Sequence, residues 1–366
     1  MKKTLAAVAI LGAFAGTALA DVTVYGRIDT GLEYTHNKVA GVKSDNFKLA
    51  NGNHTGSRFG LKGSENINGL KVGFVLEGRY DSTNGKLKNG DGFFNGETMA
   101  FVGGDYGTLY AGRINSLLSD GGSIQMTGGI ANAFDAGGFG PGFSNGIGKN
   151  TRYDKTIAYK TPVLSGFQVG VQASSVDTTG GSSKANRYFA VAANYKAGNF
   201  AALLGAEYMN KQSAFDKVAA TWNTPAKPAH VDDVDDPFTV VAGGSYNFGF
   251  VKPYVSVAYF KHMDLSFNDS AADVADGEGY TVTLSADAPV LGGTLRGAVA
   301  YTDGEDKTTG VTDNDFKVYS VGAEYFYNLS KSTRVYAGLG YTKNDTDKAV
   351  GESETYKVAG GLVYYF

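Results

Sequence analysis

Six cationic side chains, those of Arg27, Arg58, Lys62, Arg79, Arg113 and Arg152, lie in the first half of the chain, in segments that alternate between apolar and polar residues. Successive side chains of a strand point to opposite faces. On that period all six are expected on the charged face, with Asp29, Glu33 and Glu77 as acidic neighbours. Opposed cations and carboxylates along a passage attract, orient and sort ions and dipolar solutes. Bond-breaking chemistry is poorly provided for. Cysteine is absent, which removes thiolate nucleophiles, zinc-thiolate sites and disulfides. No G-x-S-x-G elbow occurs. The four histidines, His36, His54, His230 and His262, fall in polar connections where exposure is the expected state. The acidic run "VDDVDD" (231–236) offers the oxygen ligands a hard divalent cation wants. A charge run alone fixes no coordination geometry, and this one reads as a solvated loop tip.

The elements that must position these groups are short and numerous. Sixteen alternating segments run from "VTVYGRIDTGLEY" (22–34) to "ETYKVAGGLVYYF" (354–366), with no Pro- or Ser-rich linker between them. In the first, Val22, Val24, Ile28 and Leu32 share one face, while Arg27, Asp29 and Glu33 share the other. The connections alternate as well. Short turns lie near 66–69, 104–107, 161–165, 197–199, 249–250, 289–293 and 328–332. Long polar connections lie near 35–56, 81–96, 115–151, 175–186, 210–237, 262–279, 303–315 and 343–353. A sandwich has no reason to gather its long loops at one end, whereas an up-and-down barrel does. Tyrosines near strand ends (Tyr34, Tyr80, Tyr110, Tyr301, Tyr341, Tyr364) suit the aromatic girdles of a membrane barrel. The expected fold is therefore one all-β domain, a sixteen-stranded antiparallel up-and-down transmembrane β-barrel. Closure leaves no edge unpaired in lipid.

The two chain ends agree with export to such a place. Met1-Lys2-Lys3, an apolar stretch and Ala18-Leu19-Ala20 form a secretory leader over residues 1–20, leaving 21–366 as the barrel. No later stretch is apolar for long enough to span a membrane as a helix. Lys and Arg number 33 against 36 Asp and Glu, which is not the basic excess of a nucleic-acid binder. In "GLVYYF" the alternate residues Leu362, Tyr364 and Phe366 would face lipid.

The stretches "SRFGLKGSENINGLKVGFVLEGRY" and "AFVGGDYGTLYAGR", with the terminal "YYF", make the chain resemble the general porins of Gram-negative outer membranes. The resemblance implies a homotrimer in outer-membrane lipid and lipopolysaccharide, with passive diffusion of small hydrophilic solutes and ions, no cofactor and no catalysis. It implies short periplasmic turns, long outer loops and a third loop, here 115–150, folded into the lumen. It further implies a constriction with basic residues on the early strands (Arg27, Arg58, Lys62, Arg79, Arg113, Arg152) opposed to the loop-three acids Asp120 and Asp135. Phe366, Tyr364 and Leu362 resemble the terminal signal read by the outer-membrane assembly machinery. An adhesin or receptor role of the outer loops, and a barrel enzyme, are the alternatives.

Overall fold

The computed structural model describes residues 22–39, 41–88, 92–119, 121–134, 139, 152–176, 186–210, 235–265, 274–308, 315–346 and 352–366. The expected leader, Asp120, Asp135, His230 and the first part of the acidic run lie outside these residues.

Seventeen strands follow one another: β1 (Thr23–Val39), β2 (Val42–Asn51), β3 (Arg58–Ile67), β4 (Leu70–Arg79), β5 (Thr98–Gly104), β6 (Gly107–Asn115), β7 (Arg152–Lys160), β8 (Phe167–Val176), β9 (Asn186–Ala197), β10 (Phe200–Asn210), β11 (Phe238–Tyr246), β12 (Lys252–Leu265), β13 (Val274–Val290), β14 (Gly293–Asp306), β15 (Asp315–Asn328), β16 (Thr333–Thr346) and β17 (Ser353–Tyr365). From β3 onward each pairs antiparallel with the next, and β17 pairs with β1 to close the sheet. Backbone bonds from Gly26 N to Phe366 O and from Phe366 N to Gly26 O finish the seam. Every strand except β2, whose one recorded partner among the described residues is β1, thus has two neighbours, as a wall in lipid requires.

Seventeen strands fill sixteen positions because β2 and β3 share one. β3 pairs with the lower part of β1, from Thr23↔Lys62 to Arg27↔Arg58. β2 pairs with the upper part, from Thr30↔Asn51 to Val39↔Val42. Between them residues 52–57 leave the sheet and turn into the lumen. The region expected as a loop over 35–56 is therefore mostly hairpin. The connection expected at 262–279 shrinks in the same way, with β12 extending to Leu265 and β13 starting at Val274, whereas those expected at 115–151 and 210–237 keep their bounds. Above the apolar band both faces of a hairpin meet water, so the ladder continues where the apolar-polar alternation has stopped.

The faces follow the expected parity in β1. Val24, Ile28 and Leu32 are exposed on the outer wall, while Asp29 and Glu33 are buried within. Tyr259, Tyr280, Tyr301, Tyr319, Tyr341, Tyr356 and Tyr34 form an outward row from β12 through β17 to β1, with Tyr301 and Tyr319 5.2 Å apart and Tyr341 and Tyr356 4.6 Å apart. Tyr110, expected at the girdle, instead packs inward against the buried cluster. Strands β12 to β17 run 13 to 17 residues, whereas β5 has 7. A tilted strand needs about 9–11 residues to cross the apolar layer, so one side of the wall stands tall and the other low.

Candidate functional site in the barrel lumen

The lumen is built from inward residues of the wall and the segment that follows β6. Leu117, Leu118, Ile124, Met126 and Ile130 are all buried, in one cluster with Tyr153, Tyr188, Leu203 and Val241 of the inner wall. Backbone groups inside a barrel need partners other than bulk water. Leu117 N donates to Gln172 Oε1 (2.9 Å), Ala133 N donates to Ser285 Oγ (3.0 Å), and Asn194 Nδ2 donates to Met126 O (3.1 Å). The Glu97 carboxylate accepts Ser123 N (2.9 Å) and Ser123 Oγ (2.6 Å). Glycines on the wall leave room for close approach. A Cβ on Gly205 would sit 2.5 Å from Leu118 Cδ2, and one on Gly338 would sit 2.8 Å from Phe139 Cγ. The described residues of the segment thus meet the inner wall at β8, β10, β13 and β16.

Facing the remaining space is a row of arginines. Register sets Arg27 opposite Arg58 and Arg58 opposite Arg79. Like charges placed so repel. Buried Glu77 relieves two of them, with Oε2 3.3 Å from Arg58 Nη1 and Oε1 3.0 Å from Arg79 Nε. Arg27 Nε and Arg58 Nε both donate to Gly56 O, at 3.1 and 3.3 Å. Arg152 lies within electrostatic range of Arg58, Arg79, Glu77 and Glu97. Its Nε is buried and makes no hydrogen bond among the described residues. Four of the six sequence candidates are thus brought together.

The other two stand elsewhere. Lys62 faces inward over the Tyr25 ring, 5.2 Å away, but sits four residues below Arg58, or about 13 Å nearer the short-turn rim. Arg113 corrects the expected alternation. It shares the outward parity of Leu109 and Ala111, opposite Thr98, while its neighbour Ile114 is buried inside. There it pairs with Asp154 at 2.6 Å, a side chain 63% exposed. A bulge between Gly112 and Ile114 shifts the β6–β7 register at this point.

Beside the arginine row, across β17, sequence reasoning missed a second charged group. Arg296 is 3.3 Å from Asp287 Oδ1 and 3.8 Å from Glu324 Oε2, and its guanidinium stacks over Phe134 and Phe326 at 5.4 and 4.7 Å. Arg334 stacks over Phe326 at 4.4 Å. Both lie on the inward parity of β14 and β16, shared with buried Ala298 and Tyr336, away from the early strands that the expected constriction names. His54 was missed for a different reason. Expected in an exposed loop, it lies in the inlet 52–57 with its side chain 5% exposed, Nδ1 2.6 Å from Glu324 Oε1. His36 and His262 also sit in strands, paired with Asp45 and Asp276 at 2.8 Å. Asp235 Oδ2 lies 3.6 Å from His262 Nδ1, so Asp235, His262 and Asp276 are the described groups that could hold a cation at the long-loop rim. The His262–Asp276 pair is already satisfied as a hydrogen bond.

A family described as Gram-negative porin matches residues 5–347. An outer membrane porin protein of Bordetella pertussis is 34% identical, over 94% of this chain and 95% of its own. Outer membrane porin protein 32 of Delftia acidovorans is 30% identical, over 99% and 95%. Among solved structures, an anion-selective porin from Comamonas acidovorans superposes with a TM-score of 0.69 at 27% identity, over 95% of this chain and all of that one.

Proposed function

Since this chain belongs to the Gram-negative porin family and forms an outer-membrane channel for passive diffusion of small solutes, we propose that its pore favours anions. The observation that carries this is the register row Arg27–Arg58–Arg79 with Arg152 beside it. Glu77 partners two of these arginines, and Glu97 is largely taken up by the backbone of loop three. Uncompensated cations along a narrow passage lower the barrier for anions. Asp120 and Asp135 are the proposed acidic side, on loop three as the constriction element. A planar bilayer across a salt gradient tests the reading: the expected reversal potential has the sign of anion preference, and a cation-selective sign would overturn it.

The assembly we propose is a homotrimer whose subunits meet over β4–β7. This arc supports it because the tyrosine row does not continue there among the described residues, the strands are short, and the outer face carries the Arg113–Asp154 pair. A charge facing lipid near the midplane costs about 2–4 kcal/mol, so a protein neighbour suits this face better. On the tall side, Lys261, Lys307 and Lys317 interleave with Glu278 and Glu305 above the tyrosines, which suits the phosphorylated headgroups of lipopolysaccharide. Leu362, Tyr364 and Phe366 face outward at the short-turn rim, supporting a terminal signal for the assembly machinery. The family implies a channel without catalysis. The buried carboxylates Asp29, Glu77, Glu97 and Glu207 each hold hydrogen-bonding partners, consistent with structural rather than acid–base work.

A further inference from the structure

Residues 52–57 leave a ladder that could have run straight on. Along this edge of β1 only Ile28 and Asp29 lie between the partners of β3 and those of β2, yet six residues are inserted there. The insertion is firmly held. Asp29, with no exposed surface, accepts His54 N (2.9 Å) and Thr55 N (2.6 Å) on Oδ2 and the Tyr336 hydroxyl (2.6 Å) on Oδ1. Its amide donates to Ser57 Oγ (3.0 Å), and its carbonyl accepts Gly52 N (3.2 Å).

From this base His54 reaches across β1 and β17 to β15 and β16. Its ring lies on Tyr336, centroids 5.3 Å apart at 24°. Arg334 Nη1 is 2.9 Å from Nε2. Guanidinium can only donate, so Nε2 accepts and the Nδ1 proton is assigned to the bond with Glu324.

We propose that the 52–57 inlet is a second, fixed wall of the pore constriction and sets its charge selectivity. It acts in two ways. The Gly56 carbonyl binds the Nε atoms of Arg27 and Arg58, which aims both guanidinium groups; Glu77 takes Arg58 Nη1, so the outer nitrogens of Arg27 and Nη2 of Arg58 are the ones offered to a passing anion. His54 occupies lumen where loop three ends, on the Tyr336 ring that Phe139 also meets at 6.2 Å, and it joins the arginine row to the Arg334–Glu324 group. Gly56 and Asp29 are positioning residues: they act through Arg27 and Arg58 and through the fold of the inlet.

The proposal rests on the porin reading, and its test separates the two. The refolded mature chain, Asp29→Asn and His54→Ala are compared in a salt-gradient bilayer, with folding checked by mobility on semi-native gels. Releasing the inlet is expected to raise single-channel conductance and to lower the anion-to-cation permeability ratio, each by about twofold. A purely structural role would lower thermal stability and leave the conductance and permeability ratio of the folded pores unchanged. Thr55→Cys guards against misfolding of the other variants, because the parent has no cysteine to confuse the result. A charged methanethiosulfonate should lower its current in discrete steps. If the parent conducts, the variants match it and the thiol reagent changes nothing, the inlet is no pore wall, while the channel stands. A parent that inserts without conducting overturns both.

Discussion

Arg152 and Tyr336 show how differently two inward polar side chains can be used. Arg152 carries its charge with Nε unfilled among the described residues, so replacing it should change the field more than the fold. Arg152→Gln is expected to move the reversal potential toward zero while leaving the unfolding midpoint in denaturant nearly unchanged. Unchanged selectivity would remove Arg152 from the constriction. Tyr336 does the opposite. Its hydroxyl fills Asp29 Oδ1, and a hydrogen bond to a charged group is worth about 1.5–3 kcal/mol. Tyr336→Phe should lower stability by about that amount in equilibrium unfolding from lipid vesicles; a loss near zero would mean that water replaces the hydroxyl. At this scale the sequence was readable wherever period 2 held. Arg27, Arg58 and Arg79 lie on the face their alternation indicates. Arg113 was misplaced because charge was equated with lumen, although its own parity with Leu109 and Ala111 pointed outward. His54 belongs to no period, so its polar surroundings suggested exposure.

Among the elements, loop three and the inlet make an instructive pair. Loop three announced itself through apolar residues in a connection that should have been polar, and Leu117, Leu118, Ile124 and Ile130 are buried accordingly. The inlet is polar throughout and buries itself by hydrogen bonds, which leave no hydrophobic signature. The tall hairpins were hidden for a related reason: periodicity records the membrane band alone, and the ladder above it has no apolar face to betray it. The contact of loop three with the wall yields a direct test. Gly205→Leu puts a branched side chain where Leu118 Cδ2 already lies 2.5 Å from an added Cβ. Overpacking of this kind costs about 1–3 kcal/mol, and the yielding partner is the loop, because the wall is held on both edges. The expected result is a pore of lower and noisier single-channel conductance with the β-sheet circular dichroism unchanged. A conductance equal to the parent's would mean that the wall gives way instead.

The whole molecule has a tall side with tyrosines and a low side with an outward ion pair, and the two sides call for different surroundings. Arg113→Leu distinguishes them by sign. On a lipid-facing wall the exchange would stabilise the barrel, since about 2–4 kcal/mol of unfavourable charge is removed. Between subunits it strands Asp154 and should lower the temperature at which trimers separate on semi-native gels, with the monomeric barrel intact. The closing seam has a further consequence, one of timing. Every other neighbouring pair of strands is joined by a connection of modest length, but β1 meets β17 across nearly the whole chain, as in Arg27↔Tyr365. Each doubling of a closed loop adds about 0.6 kcal/mol of entropy cost, and no partial set of strands can satisfy both borders of the sheet. Until β17 arrives, β1 offers a row of unsatisfied amides and carbonyls to any strand nearby, including that of another copy. Such an unfinished sheet is an aggregation hazard that has to be sheltered between export and insertion, and its lifetime, more than the stability of the finished cylinder, would govern how much protein reaches the membrane.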